Sequence, residues 1–155
     1  MSELERVVEG STLEPKLREL IKLRASQING CAYCVDMHTK DAQAIGEDAQ
    51  RLHLVAVWRE APVFSARERA ALAWTEALTL LPQTGAPDDV YAEVAQTVHL
   101  AERVALTPAA VAINGWNRRA VGFRPPVGGD LTHHPTAAAR GAWAVRPTSR
   151  RGRTR

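Results

Sequence analysis

Cys31 and Cys34 are the two cysteines of the 155-residue chain, a Cys-x-x-Cys pair with His38 four residues past the second. The Asn29-Gly30 dipeptide before them marks a turn or a helix end, and the residues from Ala32 to Ile45 then read as a new helix. On that helix Cys34 and His38 stand at i and i+4 and share a face. Both cysteines fall at its first turn, where unpaired N–H groups and the helix dipole favour a thiolate. A nearby imidazole can take the thiol proton. Three chemistries fit these residues. The first is thiol redox chemistry with His38 as base. The second is a zinc site built from Cys31, Cys34 and His38, with His53 or His99 as a fourth ligand; structural zinc usually draws on two such knuckles, and this chain has one. The third is no chemistry at all, two cysteines packing as small hydrophobes. A thioredoxin-type motif would need flanking strands, and the sequence offers no alternating strand pattern.

The elements that must position this stretch read as helices. Glu14-Pro15 opens one, with proline at the first helical position, and Leu17, Leu20, Ile21, Ala25 and Ile28 keep helical spacing up to Asn29-Gly30. The cysteine helix ends near Gly46, and Glu47 to Trp58 reads as a third helix. Ser65-Ala-Arg-Glu68 is a capping box that starts a fourth, running to Leu81. Asp88 to His99 is a short amphipathic fifth. Glu102 to Val121 is apolar almost all round, which predicts a buried helix or one in a subunit interface. Pro108 lies inside it, either as the first residue of a fresh helix behind Thr107 or as a kink. Residues 1–12 are polar and read as a loose arm. The expectation is an all-α domain of about six helices over residues 1–126.

Hydrophobic residues make up 45 % of the chain, enough for a real core. No secretory signal is recognisable at Met1-Ser-Glu-Leu-Glu-Arg, and the charge-free run Val104 to Asn117 is too short to span a bilayer. The reading is a cytoplasmic protein without a membrane span. In a reducing compartment, cysteines at this spacing point to catalysis or metal binding rather than a structural staple. The formal charge of +3 is unevenly placed. Residues 1–123 carry 13 Lys and Arg against 16 Asp and Glu, while residues 124–155 carry seven Arg and only Asp130. Residues 127–155, rich in proline, glycine and arginine, read as a disordered basic tail. No aromatic interleaving accompanies those arginines, so nucleic-acid binding is not expected.

The order Glu19…Ser26-Gln-x-Asn29-Gly-Cys31-Ala-Tyr-Cys34-x-Asp-Met-His38-Thr-Lys-Asp-Ala resembles the AhpD-like alkylhydroperoxidases of the carboxymuconolactone decarboxylase superfamily. So do Trp58-Arg-Glu, Phe64-Ser, Glu68-Arg-Ala-Ala-Leu-Ala-Trp74-Thr-Glu76 and Ile113-Asn-Gly-Trp116-Asn-Arg118. The resemblance covers roughly residues 13–126. It departs from the family pattern at Val98-His99 and Pro108, where the family shows an aromatic and a continuous helix.

The resemblance implies an all-helical fold assembling as trimers or hexamers, a small-molecule peroxide substrate, and a thiol or dithiol reductant. It implies no cofactor and no metal. It implies that Cys34 attacks the peroxide and becomes a sulfenic acid, that Cys31 resolves it to a disulfide, and that His38 and Glu19 form a proton relay. Members named for lactone decarboxylation lack the cysteine pair. A non-catalytic redox or metal sensor using the same Cys-x-x-Cys is the competing reading. Tyr33 would be a pocket wall or packing; Asp36 and Asp41 read as surface charges, and His53, His133 and His134 as structural or tail residues.

Overall fold

The computed structural model describes residues 1–128, which fold into helices, with no strand among the described residues. The helices are α1 (Ser2–Glu9), α2 (Pro15–Ile28), α3 (Ala32–Ala44), α4 (Ala49–Leu54), α5 (Ala66–Thr79), α6 (Leu81–Thr84), α7 (Asp88–Thr97) and α8 (Leu100–Phe123). A single 3-10 turn, Val55–Val57, follows α4. The expected tail, residues 127–155, lies outside the described residues except for Val127 and Gly128.

α2 is central and packs against α3, α5 and α8. Its Leu17, Leu20, Ile21 and Leu23 are fully buried, with Leu72 of α5 and Leu106 and Ile113 of α8. Two polar ties fix the packing. Glu76 of α5 accepts from Arg24 Nε of α2 at 2.6 Å and from Trp58 Nε1 at 2.8 Å. The Ser65–Glu68 capping box forms as expected at the start of α5. Glu68 also pairs with Arg51 of α4, which joins the two helices.

Three expectations change. Among the described residues eight α-helices replace about six, because residues 1–12 are not a loose arm and because Leu81–Thr84 makes a one-turn helix of its own. In α1, Glu5 and Val8 lie one turn apart and are both buried. Glu5 forms a buried ion pair with Lys22 of α2. The Met1 side chain rests against Gly115 of α8, where a Cβ would lie 2.5 Å from Met1 Cε. A helix this short is marginal alone; its tertiary partners hold it. The third helix, expected to run unbroken from Glu47 to Trp58, is instead α4 followed by the 3-10 turn.

Pro108 neither starts nor ends a helix, and α8 runs through it. Proline removes the N–H that would reach the Val104 carbonyl and pushes its ring toward it. Val104 lies on the exposed side of α8, where water can satisfy that carbonyl. Thr107 does not cap a new helix either; its hydroxyl accepts from Trp74 Nε1 at 3.1 Å, tying α8 to α5. Among the described residues no helix is long and apolar enough to cross a membrane.

Leu106 is wholly enclosed, so Leu106→Ala leaves a cavity where α2, α5 and α8 meet. Urea unfolding is expected to show a loss of about 2–5 kcal/mol.

Candidate active site

The turn between α2 and α3 places both cysteines. Gly30 adopts φ +64°, a left-handed conformation natural to glycine. The Cys31 N–H donates to the Ser26 carbonyl at 3.0 Å and the Gly30 N–H to the Gln27 carbonyl at 3.2 Å. These are the two reversed bonds of a Schellman motif. Cys31 is therefore the last residue of that motif and, at once, the N-cap of α3. Its Sγ accepts the Cys34 N–H at 3.3 Å. Cys34 is the third residue of α3, and the two sulfurs form a disulfide with Cα atoms 5.3 Å apart. Both cysteines are buried, beside Tyr33 and Ala120.

A network of side-chain amides pins this turn to α8. Asn29 Nδ2 donates to Asn114 Oδ1 and to Asn117 Oδ1, each at 2.9 Å. Asn117 Nδ2 donates to Ser26 Oγ at 3.0 Å, and Ser26 Oγ donates to the Lys22 carbonyl at 2.7 Å. Asn114 Nδ2 continues to Thr79 Oγ1 of α5 at 3.0 Å. Ser26 and Asn117 are completely buried. A buried amide left unpaired costs about 1–3 kcal/mol, so these contacts specify one arrangement of the turn. In the sequence, Ser26, Asn29, Asn114 and Asn117 are part of the family pattern and carry no visible role. Their role needs the contact between α2 and α8, more than 80 residues away along the chain.

One turn beyond Cys34, His38 points its Nδ1 at Glu19 Oε2 of α2, 2.7 Å away. Both side chains are buried. Burial pushes the Glu19 carboxyl up, but the hydrogen bond and charge of His38, with the charges of Lys22 and Arg18, outweigh it and bring it down to about 2. Glu19 is thus a carboxylate held ready for an imidazolium, rather than the solvated helix-face acid that its local sequence suggests. With Nδ1 engaged, Nε2 is the ring nitrogen available for proton exchange.

Asp41 is closer to this pair than a surface charge would be. Ligand atoms of Glu19, His38 and Asp41 lie within 4.8 Å of one another, the group among the described residues with metal-ligand spacing. Asp36 is a half-buried charge paired with Lys40 at 2.8 Å. In this bridged form the cysteine sulfurs are bonded to each other and are not zinc ligands. His53 stands exposed on α4.

Fold and site together define a helical protein with a bridged cysteine pair beside a buried carboxylate–imidazole dyad. The carboxymuconolactone decarboxylase family pattern matches residues 2–77. YdfG of Bacillus subtilis, an uncharacterised protein, is 41 % identical over 118 residues, which span 76 % of this chain and 80 % of that one. A crystal structure of a protein of unknown function from Agrobacterium tumefaciens, suggested to be the antioxidant defence protein AhpD, superposes with a TM-score of 0.80. It is 47 % identical and the match covers 83 % of this chain and 88 % of that one. The debrominase Bmp8 shares the fold at TM-score 0.72 and 20 % identity, over 82 % of this chain and 68 % of its own. The chain belongs to the carboxymuconolactone decarboxylase superfamily and is AhpD-like.

The depressed Glu19 carboxyl makes a prediction with a definite sign. Its folded value lies below the usual 4.5, so its contribution to stability is full above about pH 4.5 and fades as pH falls toward about 2. Glu19→Gln is expected to be less stable near neutrality, and the difference from wild type should shrink across that window. Chemical unfolding at stepped pH checks this; a difference independent of pH would mean that Glu19 is not charged in the folded protein.

Proposed function

We propose that this protein is a thiol-dependent peroxidase acting on small-molecule peroxides in a reducing cytoplasm. The observation that carries the reading is the buried His38–Glu19 hydrogen bond one helical turn from Cys34, in a chain whose cysteines bridge. A free cysteine thiol titrates at about 8.5 and needs help to ionise near neutrality. The first turn of α3 supplies partial positive charge, and His38 takes the thiol proton while Glu19 stabilises the resulting imidazolium.

The reduced Cys34 thiolate attacks one oxygen of the peroxide. The O–O bond breaks, Cys34 becomes a sulfenic acid, and the departing alkoxide takes the proton from His38 to leave as the alcohol. The Cys31 thiol then condenses with the sulfenic acid, forming the disulfide and releasing water. A thiol or dithiol donor returns both cysteines to thiols. His38 and Glu19 emerge unchanged, as a proton relay must.

Peroxide consumption with a dithiol donor tests the roles. Cys34→Ser is expected to abolish it. Cys31→Ser should leave Cys34 able to form a sulfenic acid that a dimedone-type probe captures. Equal capture in both single variants would reverse the assignment, and bridging without turnover would instead indicate a non-catalytic redox sensor.

We also infer self-association through α8. Leu100, Val104 and Val111 follow helical spacing along one side of it and are each more than half exposed, at 68 %, 66 % and 54 %. Such a stripe suits a partner helix better than water. A homo-oligomer, trimeric or hexameric, is expected by light scattering at micromolar concentration, and Val104→Glu should shift it toward monomer. A monomeric wild type would overturn the inference.

A further inference from the structure

A cavity of about 280 Å3 opens beside the disulfide, walled by Gly30, Tyr33, Val121, Arg124 and Val127. Cys31 lines it, and among the described residues Cys34 does not. The bridged pair therefore meets the cavity through one cysteine, and it is not the cysteine assigned to peroxide. What must meet a disulfide is a reductant. The cavity belongs to the form of the protein whose reaction partner is a thiol.

Arg124 gives the cavity its chemical character. It follows the last residue of α8 with φ 50° and ψ 57°, a left-handed conformation that glycine ordinarily fills at a helix end. An arginine there accepts a backbone cost that glycine would avoid. Its N–H donates to the Ala120 carbonyl at 2.8 Å. Its guanidinium has no ion-pair or hydrogen-bond partner among the described residues. Asp36, which reaches this end of the chain through the Gly128 N–H at 3.3 Å, is already engaged by Lys40 at 2.8 Å. The remaining walls are apolar or small, apart from the Tyr33 phenol. The result is a small, mostly apolar recess with a disulfide cysteine in its wall and, at its edge, a cation that is unpaired among the described residues.

We propose that this recess is the binding site for the reducing thiol, that the thiol carries a carboxylate read by Arg124, and that it attacks at Cys31. The inference rests on the reading of Cys31 and Cys34 as a redox pair. The donor thiol loses its proton to solvent, and its thiolate forms a new S–S bond with Cys31 Sγ. The Cys31–Cys34 bond breaks, and its electron pair leaves with Cys34. That leaving group is favoured: Cys34 lies in the first turn of α3, one turn from His38, which can return a proton to it. A second donor thiolate then attacks the donor sulfur of the mixed disulfide and releases Cys31, which takes a proton from solvent. Two thiols become one donor disulfide, and the protein gains two thiols.

The test uses air-oxidised full-length protein and no peroxide, so it stands or falls separately from peroxidase activity. Three thiols of similar size are the probes: 3-mercaptopropionate, 2-mercaptoethanol and cysteamine. Rates of bridge opening are divided by the thiolate fraction of each probe. The anionic probe is expected to outpace the neutral one, by a ratio about two- to five-fold larger in wild type than in Arg124→Gln, the size of one exposed ion pair. Arg124→Lys should keep the preference, and Arg124→Glu should turn it toward cysteamine. Circular dichroism checks that each variant is folded. Acid quenching, alkylation and tandem mass spectrometry should find the probe on Cys31 and the alkyl group on Cys34. An anion-to-neutral ratio unaffected by Arg124, or a probe found on Cys34, would overturn the proposal.

Discussion

Everything near the cysteines depends on how α2 ends. Its carbonyls need donors after the helical pattern stops, and Gly30 supplies the left-handed step that lets the next N–H groups turn back to them. The same step aims the chain so that Cys31 caps α3 and Cys34 enters its first turn. Side-chain amides then lock the turn to α8: Asn29 spans Asn114 and Asn117, and Asn117 reaches back to Ser26. A short turn held at both ends in this way has little room to shift, and the pair of sulfurs stays within bridging reach.

The second constraint is electrostatic. Placing Glu19 and His38 in the interior removes both from water, which disfavours charge. Their 2.7 Å contact and the neighbouring Lys22 and Arg18 favour it, and for Glu19 the favourable contributions are the larger. Lys22 is itself buried and is balanced by Glu5 from α1. The N-terminal helix thus belongs to the charge arrangement behind the dyad: without Glu5, a buried ammonium would stand unpaired beside Glu19. Carboxylate and imidazole keep their geometry because the charges around them are matched on both sides.

The helical scaffold does not by itself choose a reaction. It is shared with a debrominase at low identity, and sites rather than folds carry chemistry. In this chain the choice is made by what lies at the junction of α2 and α3. The cysteine at the cap faces a recess edged by Arg124, while the other shares its helix face with His38. That separation gives two cysteines different neighbours within a single turn of helix, which is the physical basis for assigning them different partners.

The sequence alone located the six principal helices, because caps, proline positions and the spacing of apolar residues are local signals written along the chain. It also placed Cys34 and His38 on one face, since a helix makes residues four apart neighbours. Glu19 opposite His38 was legible only through family resemblance; its local pattern is that of an ordinary exposed acid. The helical state of residues 2–9 was not legible at all, because so short a polar segment is held by an ion pair to Lys22 and by packing on α8. Asp41 near the dyad, the amide network to Asn117 and the placing of Arg124 beside Cys31 were likewise decided by tertiary structure. Each depends on the register between packed helices, α2 with α3 for Asp41 and the α2–α3 turn with α8 for the others, and that register is set by how their buried faces interlock, which no local periodicity encodes.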